Sequence, residues 1–254
     1  MPPDLSQSIA VVTGASGGLG EHFARVLAAH GAAVAVTARR EDRIVALAAE
    51  INAGGGRAYA LPLDVADAAS IAPALDRIEA ELGPIDILVN NAGVGGEGMA
   101  LDLSIEDFDA TFAVNVRGTF FAARETAKRI IARGGEGRIL NIASIASHTV
   151  LPGLSAYCGS KAAVAMLTRS LAREWARRGV AVNALCPGYI ETGINDAWWP
   201  TEGGQKQLKG FPRRRLMEAQ DLDEAFLMLV GPAARTITGS VITIDDGQSL
   251  PGGG

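Results

Sequence analysis

A tyrosine and a lysine in the segment SAYCGSKAAV, residues 155–164, have a spacing that suits chemistry. Tyr157 and Lys161 lie four positions apart, so a helix would place their side chains side by side on one face. A phenol with an ordinary pKa near 10 is a weak proton-transfer group at neutral pH. An ammonium about 4 Å away, at an effective dielectric constant near 20, favours the phenolate by about 4 kcal/mol, or about 3 pKa units before desolvation. We therefore expect Lys161 to lower the pKa of Tyr157 and make it a general acid and base; ordinary helix packing is the alternative.

A glycine-rich turn, TGASGGLG at residues 13–20, follows the apolar segment IAVV and precedes a helical pattern. Such a turn lets the backbone approach a pyrophosphate, whose charge is favoured at a helix N-terminus. The spacing G-x-x-x-G-x-G differs from the usual G-x-G-x-x-G, but a strand before it and a helix after it favour a dinucleotide site over a purely structural turn. The expected contacts in this turn are Gly14, Ser16, Gly18, Leu19 and Gly20.

The end of the second predicted strand indicates which dinucleotide is bound. NAD-binding folds often place a carboxylate there to hold the ribose 2′-hydroxyl, whereas this chain has the run Thr37-Ala38-Arg39-Arg40. The planar guanidinium of Arg39 suits a 2′-phosphate. NADP(H) is therefore favoured, NAD(H) stays possible, and a solvated arginine pair is the alternative.

The elements that must position these residues alternate regularly along the chain. Apolar strand-like runs such as IAVVTG, AAVAVTA and IDILVNNAG are separated by helix-length segments, and a long helix is expected over 105–133. This order predicts an α/β fold in which helices cover both faces of a doubly wound parallel sheet. Since no linker or repeat divides the chain, we expect one domain over 1–254, with an irregular substrate-loop segment at about 193–217.

Composition excludes several classes of protein. The formal net charge of −5 argues against a nucleic-acid partner. Three histidines and two cysteines show neither metal-ligand spacing nor a disulfide framework, so we expect no metal site. The start, MPPDLSQS, lacks the features of a signal peptide, and no apolar run is long enough to span a bilayer. The expected location is the cytoplasm, without a membrane partner.

Taken together, these motifs resemble the short-chain dehydrogenase/reductase family of about 250 residues. The resemblance covers nearly the whole chain and includes TGASGGLG, Asp64-Val65, NNAG at 90–93, Asn115, Ser144, the Tyr157 and Lys161 pair, and PG at 187–188. It implies a single Rossmann-like domain of about seven parallel strands, an NAD(P) cofactor and a homotetramer. The implied activity is a hydride transfer that interconverts a ketone and a secondary alcohol.

The same resemblance assigns roles to residues of this chain. The implied catalytic set is Asn115, Ser144, Tyr157 and Lys161. In it, Ser144 binds the substrate oxygen and Asn115 holds a proton-relaying water. Tyr157 and Lys161 also contact the cofactor, Lys161 at the nicotinamide ribose. The remaining implied cofactor contacts are Asp64 and Val65 at the adenine, Asn91, Ala92 and Gly93 beside the adenosine ribose, and Pro187, Gly188, Ile190 and Thr192 near the nicotinamide.

Departures from the family pattern and open alternatives concern specificity. Members that prefer NADPH often carry a basic residue where this chain has Gly17, and the last strand ends DDGQ rather than DGG, which is expected to affect only the C-terminal region. Adjacent Trp198 and Trp199 suggest an apolar substrate wall or lid, with simple packing or a subunit contact as the alternative. The run Arg213-Arg214-Arg215 is interpreted as a solvated or interface patch, or else an anion site.

Three alternative functions remain open from the sequence, and the first is a reductase of a polyol, a sugar-derived ketone or a xenobiotic ketone. LARE at 171–174 is also compatible with a 3-oxoacyl thioester reductase. A non-catalytic NAD(P)-binding regulatory protein is the third alternative, although such a protein has no reason to keep the whole catalytic set.

Overall fold

Seven parallel strands form one sheet in the computed structural model, which describes residues 3–96, 98–191 and 197–250. The strand order is β3-β2-β1-β4-β5-β6-β7. The bounds are β1 Ile9–Thr13, β2 Ala33–Ala38, β3 Arg57–Pro62, β4 Ile87–Asn90, β5 Gly137–Ile142, β6 Val180–Pro187 and β7 Val241–Ile244. Because every pairing is parallel, the carboxyl ends of all these strands lie at one edge of the sheet.

Helices cover both faces of this sheet, as the alternating pattern predicts. Their bounds are α1 Gly18–Ala29, α2 Glu41–Ala53, α3 Ala68–Leu82, α4 Ile105–Phe112, α5 Thr119–Ala132, α6 Ser155–Trp175, α7 Glu202–Gly210 and α8 Asp223–Val230. One core joins α1, α2 and α8 through Phe23, Ile44 and Phe226. The other joins α3, α5 and α6 through Leu75, Ile130 and Leu171. No helix in the described ranges has the length and hydropathy to cross a membrane.

The long helix predicted over 105–133 is interrupted. A π-helical turn over Ala113–Gly118 separates α4 from α5 and places Asn115 in the interior, where it is 1% exposed. Gly118 permits the close approach to the sheet edge, because a Cβ there would lie 2.8 Å from the Val65 carbonyl oxygen. Turns of this type occur frequently at functional sites.

Strand order reverses between β1 and β4, since the chain first builds the sheet outward through β2 and β3 and then returns to the other side of β1. Ligands of open α/β sheets bind in the crevice outside the carboxyl ends of the strands at such a switch point. The fold therefore directs attention to the loops that follow β1, β4, β5 and β6.

Candidate active site

A cleft of about 990 Å³ opens at the carboxyl edge of the sheet. It has the size of a site for a large ligand, and it brings together residues predicted from distant motifs. The predicted residues that line it are Gly14, Ser16, Gly18, Leu19, Arg39, Asp64, Val65, Asn91, Ala92, Gly93, Ser144, Tyr157, Lys161, Pro187, Gly188 and Ile190. Gly20 and Asn115 do not line it, and Thr192 lies outside the described residues.

The turn between β1 and α1 forms the first wall of the cleft. Gly14 and Gly18 have positive φ angles of 67° and 55°, which are costly for a residue with a Cβ. Gly20 was predicted as a cofactor contact, but a Cβ there would collide with the Gly14 carbonyl oxygen and the Asn91 side chain. Gly20 is needed so that α1 can approach the β4 loop closely, and its contact with a cofactor stays a prediction.

The segment NNAG connects this turn to the centre of the sheet. The Thr13 hydroxyl accepts hydrogen bonds from the backbone N–H groups of Asn91 and Ala92 at 3.0 and 3.1 Å, and the Asn91 side chain donates to the Thr13 carbonyl at 3.1 Å. Asn90 points into the core and donates to the Asn141 side chain at 3.0 Å. Both asparagines therefore hold the fold together, and Asn91 also borders the cleft.

Arginine side chains surround the far end of the cleft. Arg39, Arg40 and Arg43 all line it at the end of β2 and the start of α2. The Arg40 guanidinium donates to the Ser16 hydroxyl at 3.0 and 3.1 Å and to the Ser16 carbonyl at 2.9 Å. The sequence singled out Arg39 alone, because no local pattern shows that Arg40 would fold back over the glycine turn.

At the opposite end of the cleft, Tyr157 on α6 faces Ser144 at the end of β5. Burial raises the pKa of Tyr157 above its ordinary value, and hydrogen bonding with the Ser144 side chain offsets part of that effect. Ser144 is held by its own turn, where its hydroxyl accepts from the Ala146 backbone N–H at 3.1 Å. The phenol is therefore protonated at neutral pH.

Lys161 is deeply buried beside this tyrosine. Only 5% of the residue is exposed, its Nζ donates to the Ile142 carbonyl at 2.8 Å, and Nζ lies 5.6 Å from the centre of the Tyr157 ring. Burial lowers the pKa of Lys161 to about 8. The expected lowering of the Tyr157 pKa by Lys161 is not found in this state, because desolvation disfavours the charged form of each group.

Asn115 does not line the cleft, but its side chain holds residues that do. Its side chain accepts from the Val94 backbone N–H at 2.8 Å and donates to the Val94 carbonyl and the Ser160 hydroxyl, each at 3.0 Å. Ser160 in turn donates to the Tyr157 carbonyl at 2.7 Å. Both amide N–H groups of Asn115 thus have protein partners, and Ser160, which the sequence analysis missed, couples Asn115 to the helix that carries Tyr157.

An aromatic side chain that the sequence analysis did not select borders the substrate end. Tyr189 follows the PG dipeptide and lines the cleft. Its ring packs edge-on against Trp199, with ring centres 5.3 Å apart, and stacks on Phe211 with ring centres 5.5 Å apart. Neither predicted tryptophan lines the cleft: Trp199 packs behind Tyr189, and Trp198 is 47% exposed. Within the described ranges, no cluster of three or more His, Cys, Asp or Glu residues is placed to hold a metal ion.

The sheet topology, the glycine cradle and the polar cleft define a Rossmann-like, dinucleotide-binding oxidoreductase. The family model described as short chain dehydrogenase matches residues 8–203. The chain belongs to the short-chain dehydrogenase/reductase family. It is an NAD(P)-dependent oxidoreductase that acts on alcohol and ketone groups.

The similarity to relatives and solved structures extends over nearly the whole length of this chain. D-threitol dehydrogenase from Mycolicibacterium smegmatis is 37% identical over 246 residues, which cover 97% of this chain and 94% of that protein. The crystal structure of a gluconate 5-dehydrogenase from Burkholderia cenocepacia in complex with NADP and tartrate has a TM-score of 0.92 and 35% identity, with 97% of each chain covered. A short chain dehydrogenase from the same species in complex with NADP has a TM-score of 0.89 and 38% identity, over 96% of this chain and 99% of that one.

Proposed function

We propose that this chain is an NADPH-preferring carbonyl reductase in which Tyr157 transfers the proton. The observation that carries the proposal is the protonated phenol beside Ser144 in the cleft, its pKa raised by burial. Bound NADPH supplies the hydride. Ser144 holds the ketone oxygen, and Tyr157 donates its proton to that oxygen as negative charge develops there.

Lys161 then stabilises the phenolate that proton donation leaves behind. Because its pKa is about 8, the Lys161 side chain is mostly in the charged ammonium form at neutral pH. Asn115 is a positioning residue in this scheme, because its side chain fixes the Val94 backbone and, through Ser160, the start of α6. A relay water at Asn115 would need a partner other than its two amide N–H groups.

The preference for NADPH rests on the arginines at the end of β2. The guanidinium of Arg40 lies over the glycine turn, where a Cβ on Gly17 would be 3.4 Å from Nη2. Arg40 thereby supplies positive charge close to the position that is basic in many NADPH-preferring relatives. The cradle of Gly14, Gly18 and the Ser16 turn fits the pyrophosphate, and Arg39 and Arg40 fit a 2′-phosphate.

Binding measurements test this preference directly. Arg39→Ala and Arg40→Ala each remove a charge-assisted contact, so we expect each to weaken NADP⁺ binding about ten-fold and NAD⁺ binding by less than about two-fold. Arg177→Ala, an exposed arginine in the turn Ala176–Arg178, is the matched control. Equal losses for the two cofactors would contradict the proposed 2′-phosphate site.

The substrate end of the cleft favours a neutral, apolar ketone. Ile145, Leu151, Leu154 and Tyr189 line it, whereas the arginines that line the cleft lie at the glycine-turn end. We propose that the segment 193–217 forms the substrate loop. In the part of it that the structure describes, Trp199 and Phe211 pack against the Tyr189 ring, which lines the cleft.

A steady-state screen tests the function as a whole. Aryl and alkyl ketones, a sugar acid, a polyol and a 3-oxoacyl thioester would be compared with NADPH and NADH. We expect the highest kcat/KM with NADPH and a neutral apolar ketone. Turnover confined to polyols would contradict the substrate class, turnover confined to the thioester would favour the acyl thioester reductase, and tight cofactor binding without any turnover would favour a regulatory role.

We also propose a homotetramer that acts in the cytoplasm. The support for assembly is an exposed apolar patch at α4 and α6: Ile105 and Met166 are 76% and 59% exposed, and Phe108 stacks on Phe112. Both cysteines are free thiols, which suits a reducing compartment. Sedimentation velocity tests the assembly, and a monomer at micromolar concentration would contradict it.

A further inference from the structure

The C-terminal turn reaches the cleft wall through one side chain. Gln248 Oε1 accepts from the Tyr189 backbone N–H at 2.6 Å, and Nε2 donates to the Tyr189 carbonyl at 3.3 Å and the Arg215 carbonyl at 3.4 Å. One amide therefore holds both peptide groups that flank Tyr189. The departure from the family pattern at DDGQ thus extends beyond the C-terminal region to a residue that lines the cleft.

Gln248 is itself fixed in place. The Asp245 carboxylate accepts from the backbone N–H groups of Gly247 at 3.0 Å and Ser249 at 2.8 Å, which sets the turn on which Gln248 stands. The lack of a side chain at Gly188 permits this close contact, because a Cβ there would collide with Gln248 Oε1. The side chain is therefore packed directly against the Gly188–Tyr189 peptide.

The arginine run left open by the sequence belongs to the same arrangement. Arg213 and Arg215 each pair with Asp246, at 3.0 and 2.9 Å. These ion pairs join the C-terminal turn to the segment that follows Phe211, and the Phe211 ring packs on Tyr189. The C-terminal turn thus holds the peptide of Tyr189 through Gln248 and the ring of Tyr189 indirectly through Phe211.

We propose that Gln248 is a positioning residue, which sets the substrate-side wall of the cleft by holding the Tyr189 peptide against the C-terminal turn. The inference rests on the proposed function for its effect on turnover. Small displacements of a positioning group reduce productive binding strongly. Loss of the amide should therefore raise the KM for the ketone much more than it lowers kcat, because Gln248 contacts neither Tyr157 nor Ser144 in the hydrogen bonds of the described residues.

The test uses the full-length chain with Gln248→Met, which keeps length and removes hydrogen bonding, and Gln248→Glu. Gln220→Ala, an exposed glutamine outside the cleft lining, is the control. We expect Gln248→Met to raise the KM for the ketone about ten-fold with kcat within about two-fold, as loss of the bracketing hydrogen bonds predicts. In Gln248→Glu, a protonated carboxyl can again donate to the Tyr189 carbonyl, so its KM relative to wild type should fall as pH decreases from about 6 to about 4, across the ordinary pKa of glutamate.

A second readout needs no turnover. Trp199 is 9% exposed and packs on Tyr189, so release of Tyr189 in Gln248→Met should increase acrylamide quenching of tryptophan fluorescence at an unchanged circular dichroism spectrum. Unchanged quenching would overturn the positioning role even if wild type reduced no ketone. With an active wild type, an unchanged KM in Gln248→Met, or a Gln248→Glu KM ratio that does not respond to pH, would overturn it while leaving the proposed function intact.

Discussion

Replacement of the buried lysine should make the cofactor-free protein more stable. Burial lowers the pKa of Lys161 from 10.5 to about 8, and this shift corresponds to a cost of about 3 kcal/mol for keeping the ammonium charged in the folded state at pH 7. Methionine has a similar length and no charge. Its introduction loses the hydrogen bond to the Ile142 carbonyl, worth about 1 kcal/mol net. Lys161→Met should therefore raise the free energy of unfolding by about 2 kcal/mol.

The pH dependence of this gain distinguishes the cause. Between pH 8 and 10.5 the unfolded chain binds the Lys161 proton more tightly than the folded chain, so the stability contributed by this residue rises with pH across that window. The cost is complete below pH 8 and disappears above pH 10.5. The stability difference between the variant and wild type should accordingly shrink by about 2 kcal/mol between about pH 7 and pH 9.5.

Urea unfolding of both proteins, at one protein concentration and without cofactor, measures these differences. Equal slopes against urea would show that the two unfolding reactions expose the same surface. A variant less stable than wild type at neutral pH, or a stability difference independent of pH, would refute burial as the main cause of the lowered Lys161 pKa.

Two further variants test the support of the cleft. Ser160→Ala removes the hydroxyl that connects the Asn115 side chain to the Tyr157 carbonyl. We therefore expect kcat to fall about ten-fold, while cofactor affinity measured by titration stays unchanged. A variant with the wild-type kcat would refute a role for this hydroxyl in positioning Tyr157. Gly20→Ala forces a Cβ against the Gly14 carbonyl and Asn91. We expect the free energy of unfolding, measured with urea, to fall by about 1–3 kcal/mol, and NADP⁺ binding, measured by calorimetry, to weaken. No change in either quantity would show that the turn can relax around the added methyl group.

Much of the fold follows from local pattern. The alternation of apolar strands and helix-length segments predicted the parallel sheet and its two helical layers, and the structure confirms both. The π-helical turn at Ala113–Gly118 was not predicted, since it depends on contacts of Asn115 with Val94 and Ser160, which lie 21 and 45 residues away in sequence. Periodicity within one segment carries no signal of such distant contacts.

The site shows the same division between local and distant information. Residues whose motif is short and local, such as the glycine turn or the Tyr157 and Lys161 pair, were predicted, and the structure brings them into one cleft. Arg40, Tyr189 and Gln248 were missed, because their importance arises from partners that only the folded chain brings near. The predicted lowering of the Tyr157 pKa was wrong. Sequence spacing shows that the Lys161 charge is near the phenol, but it does not show how deeply Tyr157 and Lys161 are buried.

Proton donation by Tyr157 is the central claim, and Tyr157→Phe tests it most directly. The variant keeps the ring and removes only the hydroxyl, so the NADPH dissociation constant should stay within about two-fold of wild type. In a single-turnover experiment, the enzyme preloaded with NADPH should reduce a ketone at least about 10²-fold more slowly, the usual effect of losing a general acid. A variant that binds NADPH normally and reduces the ketone within about ten-fold of the wild-type rate would contradict the assignment.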